Sequence, residues 1–281
     1  MSAYCGIITV SGHKFFMNNN PIGVFDSGIG GLTVTKEIVK QLPSESIVYL
    51  GDTARVPYGT RSTEVITQFG KELAAFLLNR HVKCLVVACN TISAVALDEI
   101  ERISTVPVVG VVEPAVKQAV KVTKNKKIGV IGTQGTIRSR VYEQKIKNLD
   151  PSVEIFSVGC PLFVPLAEEG LDQHEATKLV AEDYLEEIVK SGIDTLILGC
   201  THYPLLLDAI SETVGPDVTL IDSAIPTTEE LKRILEEKGL LSDSQNPTMN
   251  FLVTDAPERI MQVASRFFGK DLAGKIKKIT L

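Results

Sequence analysis

Two cysteines in matching contexts are the residues of this chain whose type and spacing could do chemistry. Each follows an apolar run, in VACNT at 87–91 and in LGCTH at 198–202. Small polar residues and a helix-like pattern follow, so each thiol is expected at the carboxyl end of a parallel strand, beside a helix N-terminus. Such a position favours a thiolate and binds anions. The cysteines are 111 residues apart (200 minus 89), which predicts two halves facing one cleft.

A thiolate and a thiol on opposite faces of a substrate carbon could invert its configuration. One would remove a proton and the other would deliver a proton to the opposite face, which requires an acid and a base together. An unperturbed cysteine thiol has a pKa of about 8.5, so a helix N-terminus can make it ionised enough to act near neutral pH. The pair therefore predicts acid/base catalysis at Cys89 and Cys200.

Composition excludes several other classes of protein. The 281 residues are 44% hydrophobic and 22% charged, as in ordinary folded proteins. The net charge is -5 and no long basic run occurs, so no nucleic acid is expected. No apolar stretch approaches the roughly 18 residues that span a bilayer. Residues 1–20 lack the features of a secretory signal, so we predict an N-terminal extension, a cytoplasmic protein and no membrane contact.

Cysteine usage argues against disulfides and zinc. The five cysteines are odd in number, widely spaced and without a C-x-x-C pair, which favours reduced thiols. We therefore expect no metal. The glycine-rich turn at 26–31 lacks both the Walker lysine and the G-x-G-x-x-G pattern, so nucleotide binding is disfavoured.

Alternating strand and helix patterns must position the thiols. The predicted strands are 22–25, 47–50, 84–87, 108–112, 128–131, 153–158, 196–198, 218–222, 251–254 and a short one near 276. The predicted helices are 32–42, 62–80, one through 97–100, 174–190, one starting near 204, 227–238 and 257–268. A capping box of Thr227 and Glu230 is expected to open the helix at 227–238.

An internal repeat suggests how these elements are arranged. Ile-Gly-Val occurs at 22–24 and again at 128–130, an offset of 106 (128 minus 22), close to the offset between the cysteines. The apolar strands do not alternate, which indicates burial on both faces, as in parallel sheets. We predict two pseudo-symmetric α/β domains with mainly parallel sheets and an active-site cleft between them.

The motif set resembles that of the glutamate racemase family. The matching motifs are DSGIGG at 26–31, PYG at 57–59, ACNT at 88–91 and GCTHYP at 199–204. The resemblance runs in register from about Pro21 to near the C-terminus. It implies a first domain of 21–112 plus 223–281 and a second domain of 113–222.

The resemblance also assigns roles to residues. Cys89 and Cys200 would be the paired acid/base groups, with Asp26 assisting Cys89, and Glu168 and His202 assisting Cys200. The substrate-binding residues would be Asp26, Ser27, Tyr58, Gly59, Asn90, Thr91, Thr201 and His202. The choice of Glu168 over Glu169 depends on alignment alone, and His202 has an alternative role as a structural hydrogen-bonding group. Ile92, where the family usually has a small residue such as alanine, would either narrow the pocket or face the core.

The implied reaction is the interconversion of L- and D-glutamate without a cofactor, which supplies D-glutamate for peptidoglycan synthesis. Without a pyridoxal electron sink, the carbanion at Cα must be stabilised by proximity, desolvation and hydrogen bonds. The expected partners are the small-molecule substrate glutamate and a second copy of the chain in a homodimer.

Three alternatives remain open at this point. An aspartate racemase would differ in pocket depth, although the PYG and CTHYP motifs favour glutamate. One cysteine could instead be an acyl-transfer nucleophile with His202 as its base, which would require only one of the two thiols. A non-catalytic binding module with a two-domain cleft is disfavoured by the missing signal sequence.

Overall fold

The computed structural model describes residues 18–255, 258–269, 272 and 275–281. The predicted N-terminal extension therefore lies outside the described residues, apart from 18–20. The strands are β1 Ile22–Asp26, β2 Ile47–Gly51, β3 Cys84–Val87, β4 Val108–Gly110, β5 Lys127–Gly132, β6 Glu154–Gly159, β7 Thr195–Gly199, β8 Thr219–Asp222, β9 Met249–Val253 and β10 Ile276–Lys278.

Twelve α-helices are described between and after these strands. They are α1 Leu32–Gln41, α2 Thr63–Leu78, α3 Asn90–Val95, α4 Leu97–Ile103, α5 Val112–Val122, α6 Gln134–Arg138, α7 Val141–Leu149, α8 Phe163–Glu169, α9 Glu175–Lys190, α10 Leu207–Val214, α11 Ala224–Glu237 and α12 Glu258–Phe268. A short 3₁₀ helix, Tyr203–Leu206, precedes α10.

The strands form two sheets, and the described strand pairs are all parallel. The first sheet has the order β10-β9-β2-β1-β3-β4, and the second has the order β6-β5-β7-β8. The second order repeats β2-β1-β3-β4 of the first sheet, with β5 in the place of β1. This confirms the predicted pair of pseudo-symmetric α/β domains, which we name the first domain and the second domain after their sheets.

Burial on both faces explains the continuous apolar strands. Every residue of β1, β2, β3 and β7 is buried. In β1, Ile22 and Val24 enter one hydrophobic cluster and Phe25 enters the cluster on the other face, because successive side chains point to opposite sides. Helices cover both faces of such a parallel sheet, as predicted from strands in which polar and apolar residues do not alternate.

The chain passes from the first domain to the second after β4 and returns after β8. On its return, α11 packs against α1, and β9 and β10 extend the first sheet beside β2. The C-terminal segment thus completes the first domain. The residue bounds proposed for the two domains stay a prediction.

Two local predictions were wrong, for physical reasons. The capping box of Thr227 and Glu230 does not open a helix, because α11 begins at Ala224, whose N–H donates to Oδ1 of Asp222 at 2.9 Å. The strand predicted at 108–112 ends at Gly110, and α5 begins at Val112. The third residue of α5 is Pro114. A proline is accommodated in the first turn of a helix, because the N–H that it lacks would have no intrahelical partner there.

Candidate active site

Both cysteines lie at the carboxyl ends of parallel strands, where open α/β sheets usually bind ligands. Cys89 follows β3 after Ala88 and is the N-cap residue of α3, whereas Cys200 directly follows β7 and lies three residues before the start of the 3₁₀ helix. In each sheet the cysteine strand lies beside the strand from which the order reverses, β1 or β5. The crevice at the carboxyl ends of such strands is the general ligand site of open α/β sheets.

A cavity of about 390 Å³ lies between the two domains and contains all the sequence-predicted site residues in its wall. These residues are Asp26, Ser27, Tyr58, Gly59, Cys89, Asn90, Thr91, Glu168, Cys200, Thr201 and His202. Sequence analysis missed Thr133 and Gln134, which also line the cavity. They follow β5 as Ser27 follows β1, so the internal repeat carried a signal that could have located them.

Cys89 lies in an environment that favours the neutral thiol. Its Sγ lies 3.4 Å from Oγ of Ser27. The nearby carboxylate of Asp26 is buried and accepts the N–H groups of Gly28 and Gly31, at 3.3 and 2.9 Å. Burial, followed by the negative charge of Asp26, raises the pKa of Cys89 to about 12. Of the thiol and the thiolate that the two-base reaction requires, the surroundings of Cys89 favour the thiol.

The ionisable group next to Cys200 is a base, His202, whereas the one near Cys89 is the acid Asp26. Its Sγ lies 3.9 Å from Nδ1 of His202, and Nε2 of that ring lies 3.0 Å from Oε1 of Glu168. Burial lowers the pKa of His202, but hydrogen bonds to Cys200 and Glu168 raise it by more, to about 10. The raised pKa favours the protonated ring of His202, whose positive charge would lie beside the sulfur of Cys200.

Two polar residues after Cys89 contact the second domain. The amide nitrogen of Asn90 donates to the hydroxyl groups of Tyr142 and Ser223, whereas its buried Oδ1 has no hydrogen-bond partner among the described residues. Oγ1 of Thr91 lies 2.9 Å from Oγ1 of Thr133. Asn90 therefore leaves one acceptor for a ligand, and Thr91 joins the two domains at the cavity wall.

Tyr58 and Ile92 are placed differently from other matched residues. The phenol of Tyr58 donates to the carboxylate of Asp52, so its hydroxyl group is already engaged. Ile92 is fully buried in the core of the first domain, where its Cγ2 would lie 3.0 Å from a Cβ added at Gly70. The structure thus resolves the two options for Ile92 in favour of the core.

The described part of the chain has neither a membrane-spanning helix nor a metal-binding cluster. Its helices include none that is both long and apolar enough to cross a bilayer. Within those same residues, no group of three His, Cys, Asp or Glu side chains is arranged to hold a metal ion.

Two similar domains that present one thiol each to a shared cavity, with acid/base partners beside both, define an enzyme of the racemase type. A model of the Asp/Glu/hydantoin racemase family matches residues 22–231. The chain belongs to this family.

Named relatives are similar over nearly the whole chain. The glutamate racemase of Geobacter metallireducens is 49% identical over 261 residues, which cover 92% of this chain and 96% of that protein. The crystal structure of a glutamate racemase isoform from Bacillus anthracis has a TM-score of 0.90 at 43% identity, over 94% of this chain and 98% of that one. The Francisella tularensis glutamate racemase, crystallised with D-glutamate, has a TM-score of 0.89 at 39% identity and the same coverages.

We expect Glu168→Gln to move the alkaline limb of the activity profile to lower pH. A neutral amide stabilises the imidazolium of His202 less than a carboxylate does, so the pKa of His202 falls and its proton is lost earlier as pH rises. Activity measured against pH, with the ring resonances of His202 followed by NMR, checks this. Glu169→Gln is the matched control, and an unmoved alkaline limb in Glu168→Gln would contradict the expectation.

Proposed function

We propose that this chain interconverts L- and D-glutamate through proton transfers at Cα by Cys89 and Cys200. One observation carries the proposal. The two thiols come from equivalent strands of two similar domains, line one cavity, and have partners of opposite charge. The names of the relatives, at 39 to 49% identity, supply the substrate.

The charges beside the two sulfurs assign a starting state. In the proposed reaction Cys200, next to His202, acts as the base that removes the Cα proton of the enantiomer presented to it. Cys89, protonated because of burial and Asp26, delivers its proton to the opposite face of Cα. The Cα–H bond breaks toward Cys200 and the S–H bond of Cys89 breaks toward Cα. The products are the inverted amino acid, a Cys200 thiol and a Cys89 thiolate.

The remaining site residues would stabilise the carbanion between these steps. Thr133 caps the N-terminus of α6 by accepting from the N–H of Thr136, and Cys89 occupies the N-cap position of α3 without a side-chain cap hydrogen bond. Both residues line the cavity, and backbone N–H groups at these two N-termini would bind the substrate carboxylate. The unpartnered Oδ1 of Asn90 is an acceptor for the substrate ammonium. Fixed donors in a cavity that excludes water stabilise developing charge without reorganisation.

The wider role is also part of the proposal. The D-glutamate formed would enter peptidoglycan, the enzyme would act in the cytoplasm, and two chains would form a homodimer. The family membership supports the first of these points, since D-glutamate is what the implied reaction provides.

The first test is the circular dichroism of L-glutamate mixed with purified protein and no added cofactor. We expect the signal to decay to zero as the racemic mixture forms. L-aspartate is run in parallel, and decay of aspartate with a flat glutamate trace would transfer the proposal to the sister activity. If both traces stay flat in a folded sample with free thiols, the proposed reaction is wrong.

A further inference from the structure

A buried carboxylate, Asp52, lies directly behind the cavity wall. It follows β2 and is fully buried. Its Oδ1 accepts from Oγ1 of Thr254 at 2.8 Å, and its Oδ2 accepts from Nε of Arg55 at 2.5 Å and from the phenol of Tyr58. Its own N–H donates to the carbonyl of Asp26 at 3.1 Å. A buried carboxylate with this many donors is compensated for its lost hydration.

The side chains that reach Asp52 belong to the loop that follows it. Arg55 also donates to Glu72 of α2 at 2.5 Å, and its guanidinium lies 3.9 Å from the ring centroid of Phe69. Tyr58 packs on the same ring, at 5.4 Å between centroids. Burial, and then the hydrogen bond to Asp52, raise the pKa of Tyr58, so the phenol remains a donor. The loop is therefore fastened to Asp52 and α2 by two side chains.

This loop forms one side of the cavity. Residues 56–60 all line it. Gly59 also lies against the second domain, because a Cβ added there would be 2.8 Å from Cβ of Thr133. The position of the loop consequently sets both the shape of the cavity and the contact between the domains.

We propose that Asp52 is a positioning residue, which holds loop 56–60 through Tyr58 and Arg55 so that the loop presents its backbone, and not the phenol, to the substrate. The inference rests on the proposed function for the identity of the substrate. The resemblance names Tyr58 as a substrate-binding residue, and the proposal gives that role to its backbone while its phenol donates to Asp52.

The test compares Asp52→Ala, Asp52→Asn, Tyr58→Phe and the double variant Asp52→Ala/Tyr58→Phe in the glutamate racemisation assay. We expect Asp52→Ala to raise KM at least about tenfold with kcat changed by less than about threefold, since substrate binding loses the equivalent of one good hydrogen bond. Asp52→Asn keeps an acceptor for Tyr58 and Arg55 and should recover most of the wild-type KM. Adding Tyr58→Phe to Asp52→Ala should change nothing further, because the hydroxyl acts through Asp52.

Asp194→Ala is the matched control. Asp194 accepts from the hydroxyl of Thr123 and from the N–H groups of Lys124 and Asn125, and it precedes β7, at the end opposite to Cys200. It holds a loop as Asp52 does, so its loss should lower Tm and leave KM unchanged. If KM increases equally in Asp194→Ala, general destabilisation explains the increase in Asp52→Ala, and the proposal is overturned.

Further outcomes separate the possible failures. Additive effects of Asp52→Ala and Tyr58→Phe, or a wild-type KM in Asp52→Ala, would overturn the positioning role. If Asp52→Ala does not fold, the double variant Arg55→Met/Tyr58→Phe replaces it, because it removes both side-chain hydrogen bonds through which Asp52 holds the loop; a wild-type KM in that variant would then refute the proposal. Absence of racemisation in the wild-type protein would instead refute the proposed function.

Discussion

Replacing either Cys89 or Cys200 with serine is expected to reduce glutamate racemisation by about a thousandfold or more, because one acid/base group typically contributes about 10²- to 10⁴-fold. A serine hydroxyl is a much weaker acid than a thiol, so it supplies neither the base nor the acid of the pair. Both cysteines are buried, with the sulfur of Cys89 beside the hydroxyl of Ser27 and that of Cys200 beside the ring of His202, groups that can also hydrogen-bond a serine hydroxyl, so the change from sulfur to oxygen should leave the fold intact. Decay of the circular dichroism signal measures the loss, and Tm measures the fold.

Cys84→Ser is the control for this pair. Cys84 is fully buried in the core of the first domain, so its substitution tests the effect of losing a thiol without changing the cavity. Full turnover in either Cys89→Ser or Cys200→Ser would refute the two-thiol mechanism. Loss of activity in only one of them, with a covalent intermediate detected by mass spectrometry, would instead favour acyl transfer.

The second large loss of activity is expected from substitutions of Gly30, where the glycine turn of the first domain contacts the Cys200 loop of the second. A Cβ added at Gly30 would lie 2.3 Å from Oγ1 of Thr201 and 2.4 Å from Nδ1 of His202. A hydrogen bond from Thr33 to the carbonyl of Thr201, at 3.2 Å, holds the same contact. Gly30→Ala must therefore displace the hydroxyl of Thr201 and the ring of His202, which contacts Cys200, and a displacement of about 1 Å can reduce catalysis by about a hundredfold.

The measurement is kcat/KM for Gly30→Ala, Gly30→Ser and Gly30→Val, which should decrease in that order. Gly159→Ala is the control, because its Cβ would lie 3.5 Å from the nearest atom, Cγ of Gln134, which is an ordinary contact. A wild-type kcat/KM in Gly30→Ala, with unchanged Tm, would show that the Cys200 loop tolerates movement and that this contact does not set its position.

Local features of the chain were sufficient to predict most of the fold. Continuous apolar runs identify buried parallel strands, and the helix at 62–80 is observed as α2, Thr63–Leu78. The repeated Ile-Gly-Val segments correspond to β1 and β5, which occupy equivalent places in the two sheets. The helix starting at Ala224 was placed too late because the carboxylate that satisfies its first N–H, Asp222, precedes the region that looked like a cap.

The amino-acid sequence by itself determined the α/β class, the repeat and the paired thiols, because these depend on periodicity and on strand-end positions that are local. Only the tertiary structure decided the charges around the thiols and the direction of the Tyr58 hydroxyl. Asp26 acts on Cys89, and Glu168 acts on His202, across segments that are separate in the sequence. Asp52 likewise accepts a hydrogen bond from Thr254, which lies 202 residues away along the chain. Burial and electrostatic interaction depend on distances in space, which spacing along a chain does not fix.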